Sequence, residues 1–139
     1  TQSQINMNSK MLILGAFLGL TAVILGAFGA HGLKELVLPE QMVTFETGVR
    51  YQMYHALLLL FLGSSSVVNA KTKQIIFYLV LIGILLFSGS IYGLATNNLT
   101  AFNFTTIGFI TPIGGFLLIF SWLLLLIKFL KNRADISKN

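Results

Sequence analysis

Glu46-Thr47-Gly48-Val49-Arg50-Tyr51-Gln52-Met53-Tyr54-His55 runs without a break into Ala56-Leu57-Leu58-Leu59-Leu60-Phe61-Leu62. The first part gathers an acid, a guanidinium, two phenols and an imidazole, and the second is hydrocarbon throughout. A segment apolar on every side belongs in a buried core or in lipid, so this junction reads as the lip of a membrane span. Composition decides for lipid. Of 139 residues, 55% are hydrophobic and only 9% charged, against about 25% charged in a soluble domain. The mean hydropathy is +0.85. One domain suits this length. The net charge of +5 comes with no basic stripe interleaved with aromatics, so the implied partner is the lipid bilayer and not nucleic acid. Cysteine is absent, which excludes disulfides, thiolate metal sites and cysteine nucleophiles.

Working outward, the apolar runs predict an all-α membrane four-helix bundle. Its spans cover about 11–30, 50–68, 75–95 and 107–128, each near the 20 residues that cross roughly 30 Å of hydrocarbon. Residues 1–10 are expected to be a loose polar tail, 11–130 the membrane domain and 131–139 a basic tail. The first run is longer than a signal-peptide core, and Phe28 sits where a cleavage site wants a small residue, so a span is the better reading. An amphipathic lead-in to the second span starts at about residue 39, where Pro39 suits a first helical position. That helix would overshoot the bilayer, so its first turns are expected to project, tilt or break, with Gly48 the place for a break. Asn69 to Gln74 reads as a polar loop. Pro112 predicts a kink or a helix start with Thr111 as cap, because proline cannot donate to the preceding turn. Gly15, Gly19 and Gly26 in the first span, Gly89 and Gly93 in the third and Gly115 in the fourth offer small faces on which helices can approach closely.

Four spans put Lys10, Lys71, Lys73, Lys128, Lys131, Arg133 and Lys138 on one side, leaving Lys34 and Arg50 on the other. The positive-inside rule then predicts both termini in the cytoplasm and an inner-membrane location. Counting 1.5 Å per residue, His31 and Arg50 come out at the outer boundary and His55 about 22 Å above the inner face. Ser88 and Thr111 fall at a similar depth. His31, Glu46, Arg50, Tyr51, Tyr54, His55, Ser88 and Thr111 are therefore the candidate binding residues, expected to share one outer-leaflet layer. Within it Glu46 is the natural partner of Arg50, four residues away on the same helix.

The layer could serve several chemistries. His31, His55 and Glu46 lack the spacing of a metal site, so no metal and no cofactor is expected. Ser88 and Ser90 flank a glycine, a setting that favours packing and local hydrogen bonds over nucleophilic catalysis, and no catalytic residue is assigned. A pathway or pocket for a small solute or lipid head group fits better. Against it, the inner halves of the spans offer only Thr21, Ser121 and the serines at 64–66 to continue a path. The plainer alternative is that the layer ties four helices together.

Four blocks carry a resemblance: Gly26-Ala27-Phe28-Gly29-Ala30-His31-Gly32-Leu33, Thr47-Gly48-Val49-Arg50-Tyr51-Gln52-Met53-Tyr54-His55-Ala56, Phe87-Ser88-Gly89-Ser90-Ile91-Tyr92 and Ile110-Thr111-Pro112-Ile113-Gly114-Gly115. From about Met11 to Leu130 the chain resembles the YgdD-type family of small bacterial inner-membrane proteins, a domain of unknown function with a eukaryotic relative. The resemblance implies four membrane helices and supplies no activity, cofactor or site residue. Two roles are open: a structural or accessory component packing against itself or a larger membrane complex, and a small transporter or binder using the outer polar pocket.

Overall fold

The computed structural model describes residues 2–101 and 103–138. It holds four long helices, α1 (Gln2–His31), α2 (Pro39–Ser64), α3 (Ala70–Ala95) and α4 (Ile110–Ser137). Single 3-10 turns at Leu33–Glu35, Asn97–Leu99 and Phe104–Ile107 fill the connections. By length and composition α1 with its following turn, α3 and α4 are each apolar enough to cross a membrane. Helix α2 carries more polar residues, and two of them turn inward: Gln52 and His55 are buried while Leu57 and Phe61 face out. This inverts a soluble protein, because lipid welcomes the hydrocarbon and the bundle interior must take the polar groups.

The helices pack in chain order, α1 along α2, α2 along α3 and α3 along α4. Glycine sets the approach. A Cβ at Gly15 would meet the Ala56 carbonyl at 3.0 Å, and one at Gly63 would meet the Asn8 carbonyl at 3.1 Å, so α1 and α2 run antiparallel in close contact. Between α3 and α4 a Cβ at Gly114 would run into the backbone of Phe87, Leu86 and Gly83. Lipid gives helices no hydrophobic drive to associate, so such contacts carry much of the packing energy. The expected glycine faces are met unevenly. Gly15 is tight, Gly19 and Gly26 make ordinary contacts, and Gly93 lies under the Phe104 ring. Gly89 meets nothing within 4 Å, and on α4 the tight position is Gly114 while Gly115 only rests near Phe87.

Several helix ends differ from expectation for local reasons. Helix α1 starts at Gln2, so the described part of the expected loose tail is helical, with Met7 buried and Asn8 bonded to Lys73. Thr1 and Asn139, the ends of the two expected tails, lie outside the described residues. Helix α2 passes through Gly48 unbroken and stops at Ser64, four residues before the expected end of its span. Its start is held by Pro39 in the first turn and by Gln41, whose side chain accepts from the Leu38 N–H at 2.9 Å. Asn69 caps α3 by accepting from the Thr72 N–H at 2.9 Å, which draws residues 70–74 out of the expected loop and into the helix. Helix α4 starts at Ile110, so Pro112 sits in the first turn where its missing N–H costs little. Its cap position is Phe109, not Thr111, and the helix continues through the expected basic tail to Ser137.

Candidate functional site

Glycine at position 48 places α2 and α3 close enough for side chains to reach across. A Cβ there would meet the Tyr92 ring at 2.7 Å, and the Gly48 carbonyl accepts from Ser88 Oγ at 2.9 Å. One turn further along α2, Gln52 is 4% exposed and binds two helices at once. Its Nε2 donates to the Leu18 carbonyl at 2.9 Å and to Thr21 Oγ1 at 2.7 Å on α1, and its Oε1 accepts from the Tyr92 hydroxyl at 2.7 Å on α3. The amide thus uses both protons and one oxygen site. The Tyr92 ring also packs against Phe45, ring centres 5.2 Å apart and planes inclined at 46°.

His55 lies less than one further turn along α2 and is 3% exposed. Its Nδ1 is 2.7 Å from the Tyr51 carbonyl, and its Nε2 accepts from Trp122 Nε1 at 3.0 Å. An imidazole that donates at Nδ1 and accepts at Nε2 is neutral, and both ring nitrogens are satisfied without a charge in the bilayer. Ser90 on α3 and Thr111 on α4 share a hydrogen bond of 2.5 Å. Every neighbouring pair of helices is therefore tied by at least one polar contact.

The expected single layer resolves into separate ties at different depths. Ser88 is bound to Gly48, Thr111 to Ser90, and His55 to Trp122. Trp122 stands eleven residues beyond Thr111, about 16 Å along the helix. His55 is deeper than its sequence count suggests because residues 65–69 are not helical. From His55 to Ser64, the inner end of α2, is nine residues or about 14 Å. His31 and Glu46 are exposed. Arg50 is exposed too and donates to Thr47 Oγ1 at 3.2 Å, so the expected Glu46–Arg50 pair is absent. Tyr51 and Tyr54 are half exposed, their rings edge to face at 5.7 Å, with Tyr51 also 5.1 Å from Phe87.

Gln52, Tyr92 and Trp122 are participants outside the eight candidate binding residues. The signal for Gln52 was its register: Phe45, Gly48, Gln52, His55 and Leu59 recur at helical spacing and are all buried. Beside the His55–Trp122 tie, a cleft of about 380 Å³ opens between α2, α3 and α4, lined by Tyr51, His55, Phe87, Gly115, Leu118, Ile119 and Trp122. It is an aromatic groove with one imidazole in its wall. Among the described residues no three His, Asp or Glu side chains gather as a metal site requires.

Residues 25–115 match a family described as "Protein of unknown function (DUF423)". A UPF0382 membrane protein of Staphylococcus epidermidis is 42% identical over 120 residues, covering 86% of this chain and 94% of the relative. The UPF0382 membrane protein YwdK of Bacillus subtilis is 40% identical over 125 residues, covering 86% of this chain and 95% of the relative. The UPF0382 inner membrane protein YgdD of Escherichia coli is 37% identical over 132 residues, covering 91% and 95%. No solved structure gives a significant match.

Proposed function

Because the chain belongs to the DUF423 family, a family of membrane proteins of unknown function, we propose a role from the site itself. The protein is a structural or accessory component of the membrane, and its buried polar groups are interhelical ties and not steps of a conduit. The observation that carries this is Gln52, whose two amide protons and carbonyl oxygen are all used inside the bundle. A pathway needs polar groups free to bind and release a passing solute. Here they are committed to one another. The protein then acts through its outer surface, on a second copy or on a larger membrane complex, in an inner-membrane setting like that named for the Escherichia coli relative.

Both termini lie in the cytoplasm in this reading, since seven basic residues gather at the end where α1 begins and α4 finishes. At 1.5 Å per residue α1 is about 45 Å long, so its first turns, like the last of α4, project beyond the membrane domain of residues 11–130. A second reading rests on the aromatic cleft. Of the eight candidate binding residues only Tyr51 and His55 line it, and its walls suit the hydrocarbon part of an amphiphile drawn from the bilayer. Native mass spectrometry after extraction in mild detergent separates the two. A stoichiometric protein partner or a homo-oligomer supports the accessory role. A retained amphiphile that is lost in Trp122→Ala supports the second and overturns the first.

A further inference from the structure

The opposite end of the bundle from Arg50 carries a different kind of cavity. Where α2 hands over to α3, a cleft of about 510 Å³ is lined by Gln4, Ser66, Asn69, Thr72, Lys128 and Asn132, with Val67 and Val68 as its apolar floor. Among the described residues no carboxylate lines it. Asn132 spends one amide proton on the Val67 carbonyl at 3.2 Å and keeps a second. Lys128 is half-buried. Its ammonium brings three donors and the Ser66 hydroxyl a fourth.

The surroundings add positive potential. Of the charged residues at this end, Lys10, Lys71, Lys73, Lys128, Lys131, Arg133 and Lys138 face a single acid, Asp135. Asp135 lines an adjoining cleft that shares Ser66, Val67 and Asn132 with this one, and Arg133 stands beside it there. Lys73 is fully covered, its Nζ held by Asn8 Oδ1 at 2.7 Å and by the Ser65 carbonyl at 2.5 Å, so its charge meets neutral acceptors only. The cleft also takes in the start of α3 at Asn69 and Thr72, where the Thr72 N–H is already held by the Asn69 side chain, so the donors left for a ligand are side chains. A cavity lined by an ammonium, a hydroxyl and an amide, with no carboxylate among its described lining residues and lysines nearby, suits an anion with several oxygens.

We propose that this cleft binds a phosphate group, with Lys128 as the charged contact and Ser66 and Asn132 as hydrogen-bond donors. Two sources share that chemistry: the head group of an anionic phospholipid at the membrane surface, and free phosphate. The site is independent of the accessory role and of the aromatic cleft.

The test uses the full chain in mixed micelles of phosphatidylcholine and phosphatidylglycerol, with lipid adducts counted by native mass spectrometry, and a separate calorimetric titration with inorganic phosphate. The expected result is preferential retention of phosphatidylglycerol, weakened about fivefold in Lys128→Gln and unchanged in Lys131→Gln, which removes equal charge outside the cleft. Ser66→Ala, a loop substitution, should weaken binding without altering the helical circular dichroism and keeps the test decisive if Lys128→Gln fails to fold. Retention of lipid without a phosphate isotherm identifies the head group as ligand, and a phosphate isotherm that Lys128→Gln abolishes identifies the free anion. Equal losses in Lys128→Gln and Lys131→Gln, or binding of neither probe, would overturn the proposal.

Discussion

Replacing Gln52 by leucine is the sharpest perturbation of the polar ties. It removes three hydrogen bonds together, those to the Leu18 carbonyl, Thr21 Oγ1 and the Tyr92 hydroxyl. At about 0.6 kcal/mol for each bond between membrane helices, the loss sums to about 2 kcal/mol. Leucine is itself content in an apolar interior, so little of this loss comes from the new side chain. Tyr92→Phe removes one of the three bonds and should cost about 0.6 kcal/mol, with about 1.7 as the ceiling. Since the two residues share that bond, the double mutant should be more stable than the sum of single losses predicts, by about 0.6 kcal/mol. Reversible unfolding in mixed micelles, followed by Trp122 fluorescence, reads all four proteins. A Gln52→Leu protein as stable as the wild type would refute the reasoning, as would strict additivity with Tyr92→Phe.

The close α3–α4 contact predicts that Gly114→Ala, which must push on backbone, costs at least the 1–3 kcal/mol typical of overpacking. Gly89→Ala has open space before it and should be neutral or gain up to about 1 kcal/mol of helix propensity; thermal melts in detergent would expose a reversed order. Lys73→Met removes the tie to Asn8, so amide exchange should accelerate over residues 2–10 and stay unchanged in α4; equal protection in both proteins would contradict it. In the cysteine-free chain, single cysteines replacing Lys71 or Lys138 should be shielded from an impermeant thiol reagent in intact cells, while one replacing Asn98 should react. Labelling at Lys71 with protection at Asn98 would reverse the proposed orientation.

Much of the fold was legible because lipid imposes a simple rule on length. The runs ending at Ala95 and beginning near Gly108 lie within a few residues of the helix ends observed. Projecting turns were less legible. Residues 2–10 and 131–137 are polar enough to pass for tails, and they are helical because they extend helices already nucleated in the membrane. Of the residues singled out in the sequence, His55, Ser88 and Thr111 are bonded to other helices, and the pattern of those bonds was not legible. Counting depth through residues 65–69 as though they were helical raised His55 toward the outer face, whereas its partner is Trp122, in the middle of α4. Charge drew attention to Arg50 and Glu46, yet both side chains are exposed on the outside of the bundle, and Arg50 bonds within its own helix to Thr47. Uncharged Gln52 has no such escape, and its burial makes it the hub.

The central claim is that these buried polar groups hold helices together and do not pass a solute. Proteoliposomes loaded with a pH-sensitive dye, under an imposed potassium diffusion potential, test it most directly. With the wild-type chain reconstituted at known density, the account predicts a proton leak equal to that of protein-free liposomes. A protein-dependent flux, abolished by His55→Leu or Gln52→Leu in samples that remain folded, would contradict it.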